Sequence, residues 1–314
     1  MTPERRPARL VVCAALGIEA RAAARPGLRV VTVGVGPRRA RRAAARLPPF
    51  DALAVTGFAG SLDARVGPGS LVVATEIRGP DGTVACRSAE LIAGLLERDG
   101  ATVHRGPLLT RDRVVTGRRE RAALAATGAL AVDMESAPLA AAAAGRPCAV
   151  VRAVVDTPEH PLFSPATLTG GLAALRRLRT VGAALACWGA AVGPRRVLLA
   201  APTASRGEAS GEAAVRAVGA DLVLVVGPAG PGGDRLVGAA EGGGTPALRV
   251  ERPADVPLDR LAAARTVGVV AGATAPPAAV DAIVAALRGL GPVELEDRAA
   301  AETSEFTLPK EVRP

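Results

Sequence analysis

The chain of 314 residues has no tyrosine, one tryptophan and four phenylalanines. Aliphatic side chains must therefore fill its core, and no aromatic platform for stacking nucleic-acid bases is available. Lysine is nearly missing too: Lys310 is the only one, so the net charge of +9 comes almost wholly from arginine. Those arginines are dispersed, with no basic helix and no finger spacing, and no nucleic-acid partner is expected. Four cysteines, Cys13, Cys86, Cys148 and Cys187, lie far apart in sequence without a CxxC or CxxH pair. Cys13 and Cys148 fall in apolar strand patterns and read as buried free thiols. Every long apolar run is broken by charge, proline or glycine, so no membrane span is expected. The start, MTPERRPARLVVCAALG, has too short an apolar run and too early a glutamate for a signal peptide. The expectation is a cytoplasmic protein.

What is present is a hydrophobic content of 49%, enough for a folded chain of this length to hold two domains. Short apolar strands alternate with helices. Strands are expected at 9–16, 28–33, 52–56, 69–76 and 149–155, with 108–115 as a strand edge. Helices are expected from 37 to about 47 and over 91–98, 118–126 and 172–191. Gly193-Pro194-Arg195-Arg196 looks like a boundary, dividing the chain into 1–192 and 193–314. Beyond it the alternation restarts, with strands at 197–201, 221–226, 248–250, 267–270 and 293–295. Helices there are expected at 208–218, 234–240 and 278–287. This pattern means α/β sheets with helical cover, mostly parallel, and a second, smaller α/β domain.

The chemistry-bearing stretch is Ala131–His160, AVDMESAPLAAAAAGRPCAVVRAVVDTPEH. Asp133 and Glu135 flank Met134 and open an Ala-rich helical segment, and a buried strand then ends at Asp156. Two carboxylates thus stand at a helix start and a strand end, where α/β proteins gather ligands. Glu19 follows the first strand, and Thr56-Gly57-Phe58-Ala59-Gly60 reads as a strand-to-loop turn that lets a ligand approach backbone amides. Gly34-Val35-Gly36-Pro37-Arg38-Arg39 before a helix is either a weak phosphate cradle or a plain tight turn.

In combination, ALGIEA, VTGFAGSL with VGPGSLVVATE, AVDMESAPLA and VVRAVVD resemble the nucleoside phosphorylase and nucleosidase superfamily over residues 9–190. That group includes purine nucleoside phosphorylases and methylthioadenosine/S-adenosylhomocysteine nucleosidases. The resemblance implies a phosphorylase/hydrolase-like mixed sheet flanked by helices, and cleavage of an N-glycosidic bond that releases adenine from a 5′-substituted adenosine. It makes Asp156 the general acid toward purine N7, or the residue that holds the base. Glu135, beside Met134, would take the ribose hydroxyls, and Glu19 would activate water. Ala59 and Gly60 would line base and sugar, and Phe163 would cover the base. Inorganic phosphate is the alternative co-substrate, with Arg21, Arg38 and Arg39 as candidates to hold it; Glu19 favours water, because a carboxylate there repels phosphate. The chain departs from the usual nucleosidase at Phe58 and at Ser136-Ala137-Pro138, which leaves the 5′ substituent open. Members of the group in hopanoid clusters act on adenosylhopane, and an apolar, arginine-rich chain suits such a lipid-linked substrate and peripheral membrane contact. The resemblance also implies a homo-oligomer.

Residues 195–314 resemble the C-terminal third of 4-hydroxy-3-methylbut-2-enyl diphosphate reductase, in ADLVLVVGPAGPGGDRLVGAAEGGG, TVGVVAGATAPPAAVDAIVAAL and FTLPKEV. That enzyme needs a thiolate-held iron–sulfur cluster, and this segment has no cysteine. No cluster or metal is therefore expected. The expected Ser-Asn-Ser loop reads Pro228-Ala229-Gly230-Pro231-Gly232, with Thr274 as a partial survivor. The segment reads as a degenerate packing or docking module, or a fusion remnant, whose glycine-rich backbone could still bind an anion. The alternatives are a working reductase or a non-catalytic nucleoside-binding protein.

Overall fold

A computed structural model describes residues 8–157, 165–200, 215, 219–272 and 274–297. The first half builds an eight-stranded mixed sheet. Its strands are β1 (Leu10–Ala14), β2 (Arg29–Thr32), β3 (Ala52–Ser61), β4 (Leu71–Gly79), β5 (Gly82–Ala85), β6 (Val103–Thr110), β7 (Ala131–Asp133) and β8 (Cys148–Asp156). β1 and β8 are buried along their whole length, as strands covered on both faces must be, which is why they read as continuous apolar runs. β1 pairs in parallel with β2 and β3, and β3 with β8. Most pairings are parallel, as expected, and the sheet becomes mixed where β4 runs antiparallel to β5 and β8, and β3 antiparallel to β7. Strand direction is decided by partners distant in sequence, and no local pattern encodes it.

The pairings β3–β7, β7–β6, β6–β4, β4–β8 and β8–β3 close on themselves. This closed ring bends where β3 and β8 slip register between Ala59 and Gly60. A register slip of this kind re-aims side chains beside functional sites. Two sequence expectations are corrected here. TGFAG does not end a strand: it lies inside the ten-residue β3. The strand near 108–115 is 103–110 instead, and it continues through Pro107.

Around this sheet lie α1 (Gly17–Ala23), α2 (Pro37–Ala44), α3 (Ala89–Arg98), α4 (Arg118–Ala125), α5 (Ser136–Ala141) and α6 (Pro165–Ala191). α2 has proline in its first turn, where the ring's fixed φ fits and no N–H is needed. The second half forms a five-stranded sheet in which every pair is parallel, in the order β11-β10-β12-β9-β13. These strands are β9 (Arg195–Ala200), β10 (Leu222–Val226), β11 (Ala247–Val250), β12 (Thr266–Ala271) and β13 (Val293–Asp297). Its helices are α7 (Pro231–Gly242), α8 (Leu258–Ala263) and α9 (Pro277–Arg288), with a 3-10 turn at Pro253–Asp255. The helix expected at 208–218 lies outside the described residues except Val215.

The two sheets share one core. A single apolar cluster joins Val151, Leu178, Leu185 and Trp188 to Leu222, Val256, Leu258 and Leu261. At the seam Gly94 of α3 meets the backbone of Ala254, so closely that a Cβ there would stand 1.9 Å from the carbonyl oxygen. Arg98 Nη1 donates to that same carbonyl at 2.7 Å, and Ser88 Oγ donates to Gly289 O at 2.8 Å. Trimming a buried Leu185 to alanine in such a core costs about 2–5 kcal/mol. The cysteines are free, and Cys13, Cys86 and Cys148 are buried. Distant in sequence, Cys86 and Cys148 are neighbours in space, and the Cys148 thiol together with burial holds Cys86 well above the usual thiol range.

Candidate active site

A cavity of about 220 Å³ opens where β1, β3, β7 and β8 end. Glu19 reaches it from the first turn of α1 and is 2% exposed. Its Oε2 accepts from the Leu16 amide at 2.8 Å and its Oε1 from the Phe58 amide at 2.8 Å. Both oxygens are therefore oriented by backbone, and each keeps a lone pair for a further donor.

β7 ends at Asp133, Met134 and Glu135 make the turn, and α5 starts only at Ser136. The acidic pair therefore precedes the helix instead of lying within it. Glu135 is buried, and its Oε1 accepts from the Gly36 amide at 2.6 Å. In the Gly34–Arg39 motif the Gly36 amide is thus spent on Glu135 and is not open to a phosphate. Burial pushes the Glu135 carboxyl above its ordinary value, Arg152 opposes the shift, and nearby Asp133 adds to it.

Behind these groups Arg152 of β8 is fully enclosed. It donates to the Thr56 carbonyl at 2.8 Å, to Ser136 Oγ at 3.0 Å and to Asp133. Glu135 Oε2 is 4.0 Å away. Asp133 is further held by Thr110 Oγ1 at 2.7 Å. Asp133 thus anchors the arginine that faces Glu135.

Asp156, at the end of β8, is 4% exposed and lines the cavity. Desolvation raises its carboxyl above the ordinary range, and the hydrogen bond and charge of Arg121 oppose this. Sequence reasoning missed Arg121. It sits in α4, whose other arginines are solvent-facing, and nothing local marks it as different. The structure also brings Leu16, Val35, Val114 and Val115 to the cavity alongside the expected Ala59, Gly60 and Met134. Arg21, Arg38 and Arg39 are not among the residues lining it. The arginines that do line it are Arg113, paired with Glu120, and Arg121, paired with Asp156. Phe163 lies outside the described residues.

In the second half, one amide of the glycine-rich loop after β10 is not open to an anion. The Ala229 N–H donates to Glu251 Oε1 at 3.2 Å, so a carboxylate occupies the place of an anion. Among the described residues no cluster of His, Cys, Asp and Glu could hold a metal ion, and no helix is long and apolar enough to cross a membrane.

A mixed α/β sheet with four carboxylates, Glu19, Asp133, Glu135 and Asp156, lining one strand-end cavity is the arrangement of an enzyme site. The family model described as Phosphorylase superfamily matches residues 24–180, half of the chain, and the chain belongs to that superfamily. Residues 201–288 match the family described as LytB protein, so a LytB-like segment follows the phosphorylase one.

Among curated relatives, 4-hydroxy-3-methylbut-2-enyl diphosphate reductase 2 of Mycobacterium bovis is 42% identical over 95 residues, 30% of this chain and 29% of that protein. The reductase of Saccharophagus degradans is 36% identical over 125 residues, 38% of this chain and 39% of that protein. The chain thus spans well under half the length of these relatives. Similar solved structures include the 5′-methylthioadenosine/S-adenosylhomocysteine nucleosidase of Helicobacter pylori, with TM-score 0.48, 16% identity and coverage of 56% of this chain and 95% of that one. The same organism's futalosine hydrolase has TM-score 0.48 and 16% identity over 56% and 95%. The Neisseria meningitidis nucleosidase in complex with methylthio-immucillin-A has TM-score 0.49 and 21% identity over 56% and 97%.

Proposed function

We propose that this chain cleaves the N-glycosidic bond of a purine nucleoside by hydrolysis, releasing adenine from a 5′-substituted adenosine. The observation that carries the reading is the convergence of Glu19, Glu135 and Asp156, from three separate elements, on one cavity lined by Ala59 and Gly60. Bond cleavage builds positive charge on the sugar and negative charge on the base. Asp156, whose carboxyl burial raises above its ordinary range, gives its proton to the leaving base. Glu135 accepts from the ribose hydroxyls and its charge stabilises the cationic sugar. Glu19, oriented by two amides, takes a proton from the attacking water.

Hydrolysis is favoured over phosphorolysis because both cavity arginines are engaged with carboxylates, Glu120 and Asp156. Phosphate entering beside Glu19 would meet like charge, and neither arginine among the described cavity-lining residues is without a carboxylate partner. Around the mouth, Leu16, Val35 and Val114 are exposed to 40%, 43% and 48%, and neighbouring Ile18 to 53%. A nucleoside alone fills a cavity of this size, so the apolar rim suits an apolar 5′ substituent, including that of a lipid-linked nucleoside such as adenosylhopane. The second half lacks the cysteines of a cluster-bearing reductase and acts as a packing module for the first.

The test is adenine release from a panel of 5′-substituted adenosines, adenosylhopane included, with and without phosphate. Release without phosphate, lost in Glu19→Gln, is expected. Release that requires phosphate would exclude the hydrolytic role of Glu19, and no release from any nucleoside would overturn the reading.

A further inference from the structure

Arg121 is 2% exposed and wholly committed. Its Nε donates to the Val115 carbonyl at 3.1 Å, its Nη1 to the Ser61 carbonyl at 2.9 Å and its Nη2 to Asp156 Oδ2. The guanidinium therefore cannot swing away without stranding two carbonyls and a buried carboxylate. The other oxygen, Oδ1, lies beside Gly60, 2.9 Å from where a Cβ on that glycine would stand. Both terminal guanidinium nitrogens are 3.4 Å from the same point. A bare glycine at the β3 bulge is what admits the pair to the cavity wall.

We propose that Arg121 is a positioning residue for Asp156: it holds Oδ2 and presents Oδ1 alone to the leaving base. This deepens the nucleosidase reading and rests on it. The consequence is chemical as well as geometric. A buried carboxyl without a cation is a weak acid, slow to part with its proton, whereas the adjacent guanidinium stabilises the carboxylate left after transfer. The other charged groups lining the cavity are Glu19 from α1, Asp133 from β7, Glu135 at the start of α5 and Arg113 from the β6–α4 loop. Of the described groups, the one whose charge bears on Asp156 is Arg121.

The experiment compares kcat/KM against pH for wild type, Arg121→Met, Arg121→Lys and Asp156→Asn, with the Arg121→Met/Asp156→Asn double variant. The general acid must be protonated, so activity falls as pH rises through its pKa. Removing the cation in Arg121→Met moves that limb to higher pH and lowers kcat at least tenfold, with KM little changed. Arg121→Lys, which keeps the charge, returns the limb toward the wild-type position and covers the case in which the methionine variant does not fold. On the Asp156→Asn background the Arg121 change adds no further loss, since its effect acts through Asp156. An unmoved limb in both Arg121 variants, or a full additional loss in the double variant, overturns this inference and leaves the nucleosidase reading standing. A wild-type protein that releases no base overturns both.

Discussion

Gly57 and Glu19 occupy adjoining space that admits no side chain at the glycine. A Cβ on Gly57 would stand 2.8 Å from the Glu19 carboxylate carbon, from its Oε1 and from Arg152 Nη1. The backbone there has φ of +130°, a conformation open to glycine and strained for other residues. Strand β3 can therefore carry the Phe58 amide to Glu19 only because residue 57 is bare. Gly57→Ala should displace Glu19 and reduce kcat/KM by roughly a hundredfold, the scale for misplacing a catalytic group by about 1 Å. It should also lower stability by about 1–3 kcal/mol from backbone strain. Steady-state kinetics with a thermal melt tests both, and a variant with wild-type activity would show that Glu19 need not hold its place.

Glu135 is held by the Gly36 amide but buried at a cost, because desolvation lifts its carboxyl above the ordinary value. For an acid whose folded pKa is raised, the native state binds more protons than the unfolded one across that interval. Stability therefore falls as pH rises from the unfolded value of about 4.3 through the folded value. Glu135→Gln removes the ionisation and keeps an oxygen for Gly36. It should melt no lower than wild type at pH 8, with the difference closing as pH is brought down to about 4. Activity should drop by roughly 10- to 100-fold through loss of a charged hydrogen-bond acceptor. Melting curves across pH, set against kcat/KM, check the trade; a variant less stable at pH 8 than at pH 4 relative to wild type would contradict it.

Gly94 inverts the ordinary expectation for a helix. In an exposed helix alanine is better than glycine by about 1 kcal/mol, yet a Cβ at 94 would meet the Ala254 carbonyl at 1.9 Å. Gly94→Ala should therefore destabilise, by about 1–3 kcal/mol as an overpacked contact, and Gly94→Val by more. Because one apolar cluster crosses the seam, the halves should melt in a single transition in wild type. Calorimetry resolving two independent transitions in the wild-type protein would refute the shared core.

No cysteine lies beyond Cys187, and thiolates are what hold an iron–sulfur cluster. Anaerobically purified protein reconstituted with iron and sulfide should retain far less than one cluster per chain and show no charge-transfer absorbance. A stoichiometric, reducible cluster would restore the reductase reading of the second half.

Much of this protein was determined by sequence alone. Continuous apolar runs such as Leu10–Ala14 and Leu222–Val226 declare buried strands because a covered strand is apolar on both faces. Pro37 marks a helix start because proline fits the first turn. Glu19, Glu135 and Asp156 stood out because α/β proteins gather ligands at strand and helix ends and because the motifs around them resemble the nucleosidase superfamily, and the structure brings all three to one cavity. What only the tertiary structure decided is how distant segments meet. The closed ring depends on β4 turning antiparallel to β8, and β-strand direction has no local code. Arg121 reaches Asp156 across 35 residues of chain, from a helix whose other arginines carry the same letter and face water. The amides of Gly36 and Ala229 look free for an anion in sequence and are each taken by a carboxylate, Glu135 and Glu251, supplied from elsewhere in the fold. Backbone donors bind whichever acceptor folding delivers to them, and the chain's order does not reveal that acceptor.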